Sequence, residues 1–447
     1  MIAALKKECF YGFRAIARDN ALCRSRVRRL LRQERWPEPE LLALRRALLH
    51  RTLKSAIERI PAYRDIRLAD SPAGVERSLE RFPIVSKEEL LHSPEQFYPA
   101  RRGATPLRIF GRTSGTTGTP LTVQRSFDSV IWENAFLRRH WYWSGYRARM
   151  PRATLRGDLV VPLERATPPF WFYNRYENQL ILSSRHLRGE HYGAIADQLA
   201  AFAPYLLQAY PSTAYDLACY LRERGRHLAI PYVYTGSEPL YPFQRALIEE
   251  RLGARVMDFY GMAERVAFAA ECELGVLHLV TDYSWVELVD EEGRPTDGEG
   301  YVVGTTFYNL AMPLVRYRLM DQMRLRGGTC ACGRRYPMIE PVTGKVEDAL
   351  LGSDGRRVSP SVLTFAFKGL QHIRRAQVVQ VGAGEWEVRV IPMPSYGDEQ
   401  KRRLIDNVHH LVDPHIRLRV VEVEEIPRTP AGKYQWVVNE WARRLAA

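Results

Sequence analysis

Hydrophobic positions along the chain change their period three times. In residues 1–60, Leu41, Leu44 and Leu48 recur at helical spacing among many arginines, which predicts a pair of packing helices. Pro61 ends them. In the connector 80–100, Ser86 is placed to N-cap a short helix. Leu107, Ile109 and Phe110, then Leu121 and Val123, read as two strands around a Gly/Thr turn. Residues 127–146 predict a long helix carrying Trp132, Phe136, His140, Trp141 and Trp143. A strand follows at 153–156, then a Pro- and aromatic-rich loop at 162–176. Helices at 192–202, 213–225 and 241–252 then alternate with strands at 204–210, 230–235 and 255–260. That alternation predicts a mainly parallel α/β sheet with ligands at the carboxyl ends of its strands. From Val276 short strands joined by polar turns predict a β-rich subdomain, a distorted barrel. Residues 349–447 read as α+β: a helix at 359–369, strands at 374–381 and 386–392, a helix at 397–411, a strand at 417–423 and a last helix after Lys433.

The expected fold class is therefore α/β. A large N-terminal α/β domain with a β-rich subdomain covers 1–343, with 1–60 as a helical extension, and a small α+β domain covers 349–447. Gly344–Asp348 marks the boundary. A hydrophobic content of 46% with 26% charged residues is that of a soluble globular protein. No apolar run reaches the ~18 residues of a membrane span, and no apolar core follows the first charges, so a cytoplasmic location is expected. The formal net charge is +14, and it comes from arginine because lysine occurs only eight times. These arginines are spread along the chain and mixed with acids. With no arginine-rich tail and no aromatic RNA-binding motif, nucleic acid is not the expected partner. Arg24, Arg26, Arg28, Arg29, Arg32 and Arg35 do crowd together. Packing is the first reading of those helices and a peripheral membrane or partner surface the second.

Positions 113–118 are all Thr, Ser or Gly. Such a loop can turn backbone N–H groups and hydroxyls toward an anion, with Gly115 and Gly118 permitting positive φ. It is no Walker loop, because it lacks the G-x-x-x-x-G-K-[ST] pattern.

Thr113–Pro120 resembles the phosphate loop of the adenylate-forming superfamily of acyl-CoA synthetases, peptide-synthetase adenylation domains and luciferases. Four further segments of that pattern follow in order: Tyr260–Glu264, Tyr317–Asp321, Gly344–Asp348 and Pro427–Lys433. Pro83–Lys87, Tyr210–Ser212 and Cys330–Arg334 resemble in particular its phenylacetate–CoA ligase and CapK-like branch.

The resemblance implies ATP, Mg²⁺ and a carboxylic acid joined as an acyl-adenylate, with CoA, an amine or a hydroxyl as acceptor. Thr113, Ser114, Gly115, Thr116, Thr117 and Gly118 would hold the phosphates. Glu264 would take Mg²⁺, and Tyr260 would stack on adenine, flanked by Asp258, Phe259, Gly261 and Met262. Gly236, Ser237 and Glu238 would form the adenine-side loop, and Asp321 would accept both ribose hydroxyls. The usual Thr-Gly before that Asp is here Leu319-Met320, a bulkier pair. Lys433 would reach the α-phosphate and the substrate carboxylate once a mobile small domain closes about a hinge at 344–348. Lys345 stands where the family often has Arg. Lys433, Glu264 and Thr117 form the expected catalytic set, and a non-catalytic scaffold member is the rival. Aromatic-rich stretches at 132–146, 170–183, 208–215 and 235–240 would wall the acyl pocket.

Cys272 and His278 follow the Glu264 segment, and Cys330 and Cys332 follow the Asp321 segment. Three thiolates and an imidazole make the closed tetrahedral set of a structural zinc ion.

Overall fold

A computed structural model describes residues 2–99, 109–112, 121–158, 160–162, 165–187, 189–342, 350–355, 357–358, 363, 366–367, 370, 372–428 and 434–445. The chain opens with helices α1 (Ile2–Arg18), α2 (Ala21–Gln33) and α3 (Glu38–Arg59). Asn20 caps α2 by accepting the Cys23 N–H, and Glu38 and Glu40 favour the positive first turn of α3. Three short helices follow: α4 (Val75–Leu79), α5 (Lys87–His92) and α6 (Pro94–Phe97). Ser86 and Glu89 close the expected cap on α5 as a reciprocal capping box. Strands β1 (Ile109–Arg112) and β2 (Thr122–Arg125) pair antiparallel, and Ser126 caps α7 (Phe127–Trp143).

The α/β part runs β3 (Arg152–Arg156), β4 (Trp171–Asn174), β5 (Gln179–Ser183), α8 (His191–Phe202), β6 (Leu206–Ala209), α9 (Pro211–Glu223), β7 (Tyr232–Gly236), α10 (Pro242–Leu252) and β8 (Arg255–Gly261). Next come β9 (Phe268–Glu271), β10 (Leu277–Leu279), β11 (Ser284–Val289), β12 (Glu299–Thr306), β13 (Tyr317–Arg326) and β14 (Met338–Ile339). The C-terminal part holds β15 (Leu350–Leu351), β16 (Arg357–Val358), β17 (Ile373–Gly382), β18 (Glu385–Pro392), helix Asp398–Leu411, β19 (Arg417–Glu422), β20 (Val437–Asn439) and helix Glu440–Leu445.

Two compact units result. The first takes Met1–Met150, Asn174–Asn178 and Met257–Val342. Its strands run in the order β11-β12-β13-β14-β10-β9-β8, an antiparallel sheet with no closure of β11 onto β8 among the described residues, where a barrel was expected. Cys23, Val27 and Leu30 of α2 pack with Ile131, Ala135 and Phe136 of α7 in one buried cluster. The aromatic stripe of α7 is thus core: Trp132, Phe136 and Trp143 are all buried. Phe136→Ala would cost about 3–5 kcal/mol.

The second unit takes Pro151–Tyr173, Gln179–Val256 and the chain from Thr343. Here β3 lies parallel to β5 and β6, and β6 parallel to β7, with α8, α9 and α10 supplying the crossovers. The loop expected at 162–176 contains β4, because Trp171 and Phe172 begin an apolar strand run that the prolines before it hid. The C-terminal part forms a four-stranded sheet, β19-β18-β17-β20, and shares its core with Tyr241, the residue before α10. After Lys433 the chain first makes β20, parallel to β17, and only then the expected helix. Val437 and Val438 are β-branched and gain a sheet edge there.

Candidate functional site

In the first unit, two of the five motif segments meet, next to the strands that flank a third. The β1–β2 hairpin is the stem of the Gly/Thr loop. Arg125, at the end of β2, donates to the Ala263 carbonyl at 2.5 Å. At Gly111 a Cβ would lie 2.2 Å from the Arg125 guanidinium, so a larger residue there would have to displace that arginine. Burial, aided by Arg265, lowers Arg125 to about 10.

Glu264 follows Ala263 and is buried. Tyr317, at the start of β13, donates to it at 3.5 Å. Arg265 sits at φ 60°, a conformation an L-residue adopts only when its surroundings hold it. Its guanidinium donates to the Ser129 carbonyl at 3.0 Å and pairs with Glu133 at 3.3 Å. At Gly304 a Cβ would lie 2.2 Å from the Val266 carbonyl oxygen, so a glycine in β12 lets this turn lie against the sheet.

Tyr260 donates to Asp321 at 2.7 Å. Burial, then the Asp321 charge, raises the Tyr260 phenol well above its usual range, so it stays a donor. The two residues expected at adenine and ribose therefore meet in space. The Asp258 backbone N–H donates to the Glu271 carboxylate at 2.9 Å. Phe259 packs edge-on to His140, and Met262 packs on the core beneath the sheet. Gly261 has Phe268 at ordinary contact distance from a Cβ.

The cysteine set also assembles in this unit. The ligand atoms of Cys272, His278, Cys330 and Cys332 all lie within 4.8 Å of one another. Cys272 and Cys330 sulfurs are 3.9 Å apart, and Cys332 Sγ lies 3.5 Å from His278 Nε2. A tetrahedral zinc ion would set these edges at about 3.8 and about 3.6 Å. His278 Nδ1 lies 3.1 Å from the Tyr336 carbonyl. That contact puts the proton on Nδ1 and leaves Nε2 for a cation. The donor set thus fits zinc. Arg334, just past the Cys330–Cys332 turn, fastens it by pairing with Glu34 at 3.4 Å and Glu273 at 2.6 Å. Beneath, Arg139 donates to Asp282 at 3.0 Å and to the Tyr336 hydroxyl at 2.7 Å.

In the second unit, Gly236 and Ser237 close β7. Arg156, at the carboxyl end of β3, donates at 2.9 Å to the Oγ of Ser237, which sits at φ 72°. Glu238 is held from two sides. Its two carboxylate oxygens accept the Ser212 N–H at 3.1 Å and the Tyr434 N–H at 3.0 Å. Burial raises its pKa, while those two donors favour the charged form. Asp216 on α9 pairs with both Arg375 of β17 and, at 2.5 Å, Arg428. Arg428 and Tyr434 bound the segment 429–433, so both of its flanks are fastened to the α9 side of this unit. Sequence reasoning passed over Arg156, Asp216 and Arg375, and gave Arg428 no role within its motif segment. The one signal available was an Arg at a strand's carboxyl end, before Gly157-Asp158.

Thr113, Ser114, Gly115, Thr116, Thr117, Gly118, Lys345 and Lys433, and the hinge at 344–348, lie outside the described residues.

This is the fold of the adenylate-forming CoA ligases. A 2-hydroxyisobutyryl-CoA ligase in complex with an acyl-AMP superposes with a TM-score of 0.71 at 19% identity, covering 93% of each chain. Within that class the relatives are of one branch. The chain is 29% identical over 361 residues to a phenylacetate-coenzyme A ligase of Thermus thermophilus, covering 71% of this chain and 73% of that one. It is 21% identical over 374 residues to protein CapK of Staphylococcus aureus, covering 81% and 80%. Residues 350–440 match the CapK C-terminal domain. No helix among the described residues is long and apolar enough to cross a membrane.

Proposed function

We propose that the chain is an ATP-dependent, AMP-forming carboxylate–CoA ligase. A substrate carboxylate oxygen attacks the α-phosphorus of ATP, the bond to the β-phosphate breaks, and pyrophosphate leaves. The CoA thiol then loses its proton and attacks the acyl carbon, giving a thioester and AMP. The observation that carries this reading is the convergence of the Gly/Thr-loop stem, Glu264 and the Tyr260–Asp321 pair within one unit. Relatives named phenylacetate-coenzyme A ligase support CoA as the acceptor.

In this reading the 113–118 loop donates to the β- and γ-phosphates, and Asp321 accepts from the ribose hydroxyls. Glu264 is the carboxylate that would hold Mg²⁺, a hard cation that neutralises phosphate charge. Lys433, carried by a C-terminal lid hinged at 344–348, supplies positive charge where it builds on the α-phosphate. Cys272, His278, Cys330 and Cys332 would hold a structural zinc ion, which has no open position for substrate.

The test is pyrophosphate release with Mg-ATP over a panel of carboxylic acids, aromatic ones first, with hydroxylamine as trap. One acid should give hydroxamate, and Lys433→Ala should lower that rate about 10²–10³-fold, the loss typical of a transition-state donor. CoA and amines added in turn then identify the acceptor. A folded, metal-replete protein that releases no pyrophosphate with any acid would leave the non-catalytic scaffold reading standing.

A further inference from the structure

We propose that the outer face of α1 and α2 docks on an anionic lipid surface. Within residues 10–22, Phe10 is 59% exposed, Phe13 69%, Ile16 70% and Leu22 48%. At helical spacing Phe10, Phe13 and Ile16 share one side of α1. The opposite side is already used. Tyr11 and Ala15 are buried, and at Gly12 a Cβ would lie 2.9 Å from the Tyr176 ring. Glu8 pairs with Arg175 at 3.4 Å, and Asp19 with Arg138 at 3.3 Å. The helix is therefore seated by its inner face, with a row of large apolar side chains turned to water. Contiguous exposed apolar surface of this kind marks a contact site.

The charge on the next helix selects the partner. Arg24, Arg28, Arg29, Arg32 and Arg35 are all exposed, and α2 contains no acidic residue. Among the described residues Arg28, Arg32 and Arg35 have no acidic partner. Guanidinium groups bind phosphate through paired N–H donors, while the phenylalanines can enter the boundary between headgroups and acyl chains. A second copy of this chain fits poorly, because a symmetric contact would set one arginine row against its image. A zwitterionic bilayer offers the apolar half of the match without the charge. The inference does not depend on the reaction proposed above.

The experiment is flotation of the full chain with vesicles of phosphatidylcholine mixed with phosphatidylglycerol, and with vesicles of phosphatidylcholine alone. The chain should float with the mixed vesicles only and be released by raised salt. The double variant Arg28→Ala/Arg32→Ala should lower the partition coefficient on the order of tenfold, and Phe10→Ser/Phe13→Ser by at least as much. All four side chains are exposed, so the melting temperature should not move. No flotation with either vesicle overturns the proposal, as does flotation that both variants leave unchanged. It is equally overturned if the chain ignores vesicles but forms a dimer in sizing experiments that Phe10→Ser/Phe13→Ser dissolves.

Discussion

Asp216 is one carboxylate between two guanidinium groups, and its side chain is 3% exposed. Burial disfavours the Arg375 cation, but Asp216 more than offsets this and raises its pKa. In Asp216→Asn the two arginines lose their counter-charge and keep their burial. A fully buried pair broken in this way costs about 3–5 kcal/mol, and Arg428 is still partly in solvent, so about 2–3 kcal/mol is expected in urea unfolding. The same substitution removes one anchor of Arg428, five residues before Lys433 in the chain. Pyrophosphate release should therefore fall more than the stability loss explains, while Arg374→Ala, whose partner Glu223 is an exposed-side pair, should leave it unchanged. Equal rates for Asp216→Asn and the parent would reduce the triad to a packing device.

At the scale of the element, α7 shows how a polar residue can be required inside a core. His140 faces the sheet, and its Nε2 lies 2.9 Å from the Glu271 carbonyl. Burial pushes its pKa down to about 3. The folded imidazole is thus neutral where the unfolded one, near its ordinary value of ~6.5, begins to protonate. The unfolded state then binds the extra proton, so this group's stability is whole above about pH 6.5. It is lost progressively toward pH 3, by up to ~1.4 kcal/mol per pH unit. Unfolding free energies across pH 4–7 should show that slope, and His140→Gln should flatten it. An unchanged slope in the variant would place the acid sensitivity in groups other than His140.

For the whole molecule, the cysteine cluster is the largest expected lever on stability. It joins loops that follow β9 and β13, far apart in sequence, and Arg334 ties the same turn to Glu34 at the end of α2. Metal analysis should find one zinc per chain. A chelator should lower the melting temperature, because an ion that binds only the folded state contributes about 4 kcal/mol when it stands a thousandfold above its Kd. Cys330→Ser should reproduce the chelator's effect and make the protein insensitive to further chelation. Protein purified without metal that melts at the same temperature would show four side chains gathered by packing alone.

Local signals in the sequence were enough for most of the order of elements, for the capping of α5, and for the two motif segments that end in Glu264 and Asp321. These depend on neighbours a few residues apart, which a linear reading sees. The gathering of Cys272, His278, Cys330 and Cys332 was also legible, since donor type limits what three thiols and an imidazole can do. Tertiary structure decided the rest. It made the α7 aromatics core, because a stripe of large rings reads alike whether it faces a pocket or a second helix. It turned 171–174 and 437–439 into strands, since a sheet edge from distant residues outweighs local propensity. It gave Glu238 two backbone donors, one of them 196 residues away, and set Asp216 between Arg375 and Arg428. A carboxylate's partners are chosen by what the fold brings within 3 Å, and that distance is not written in the chain's order.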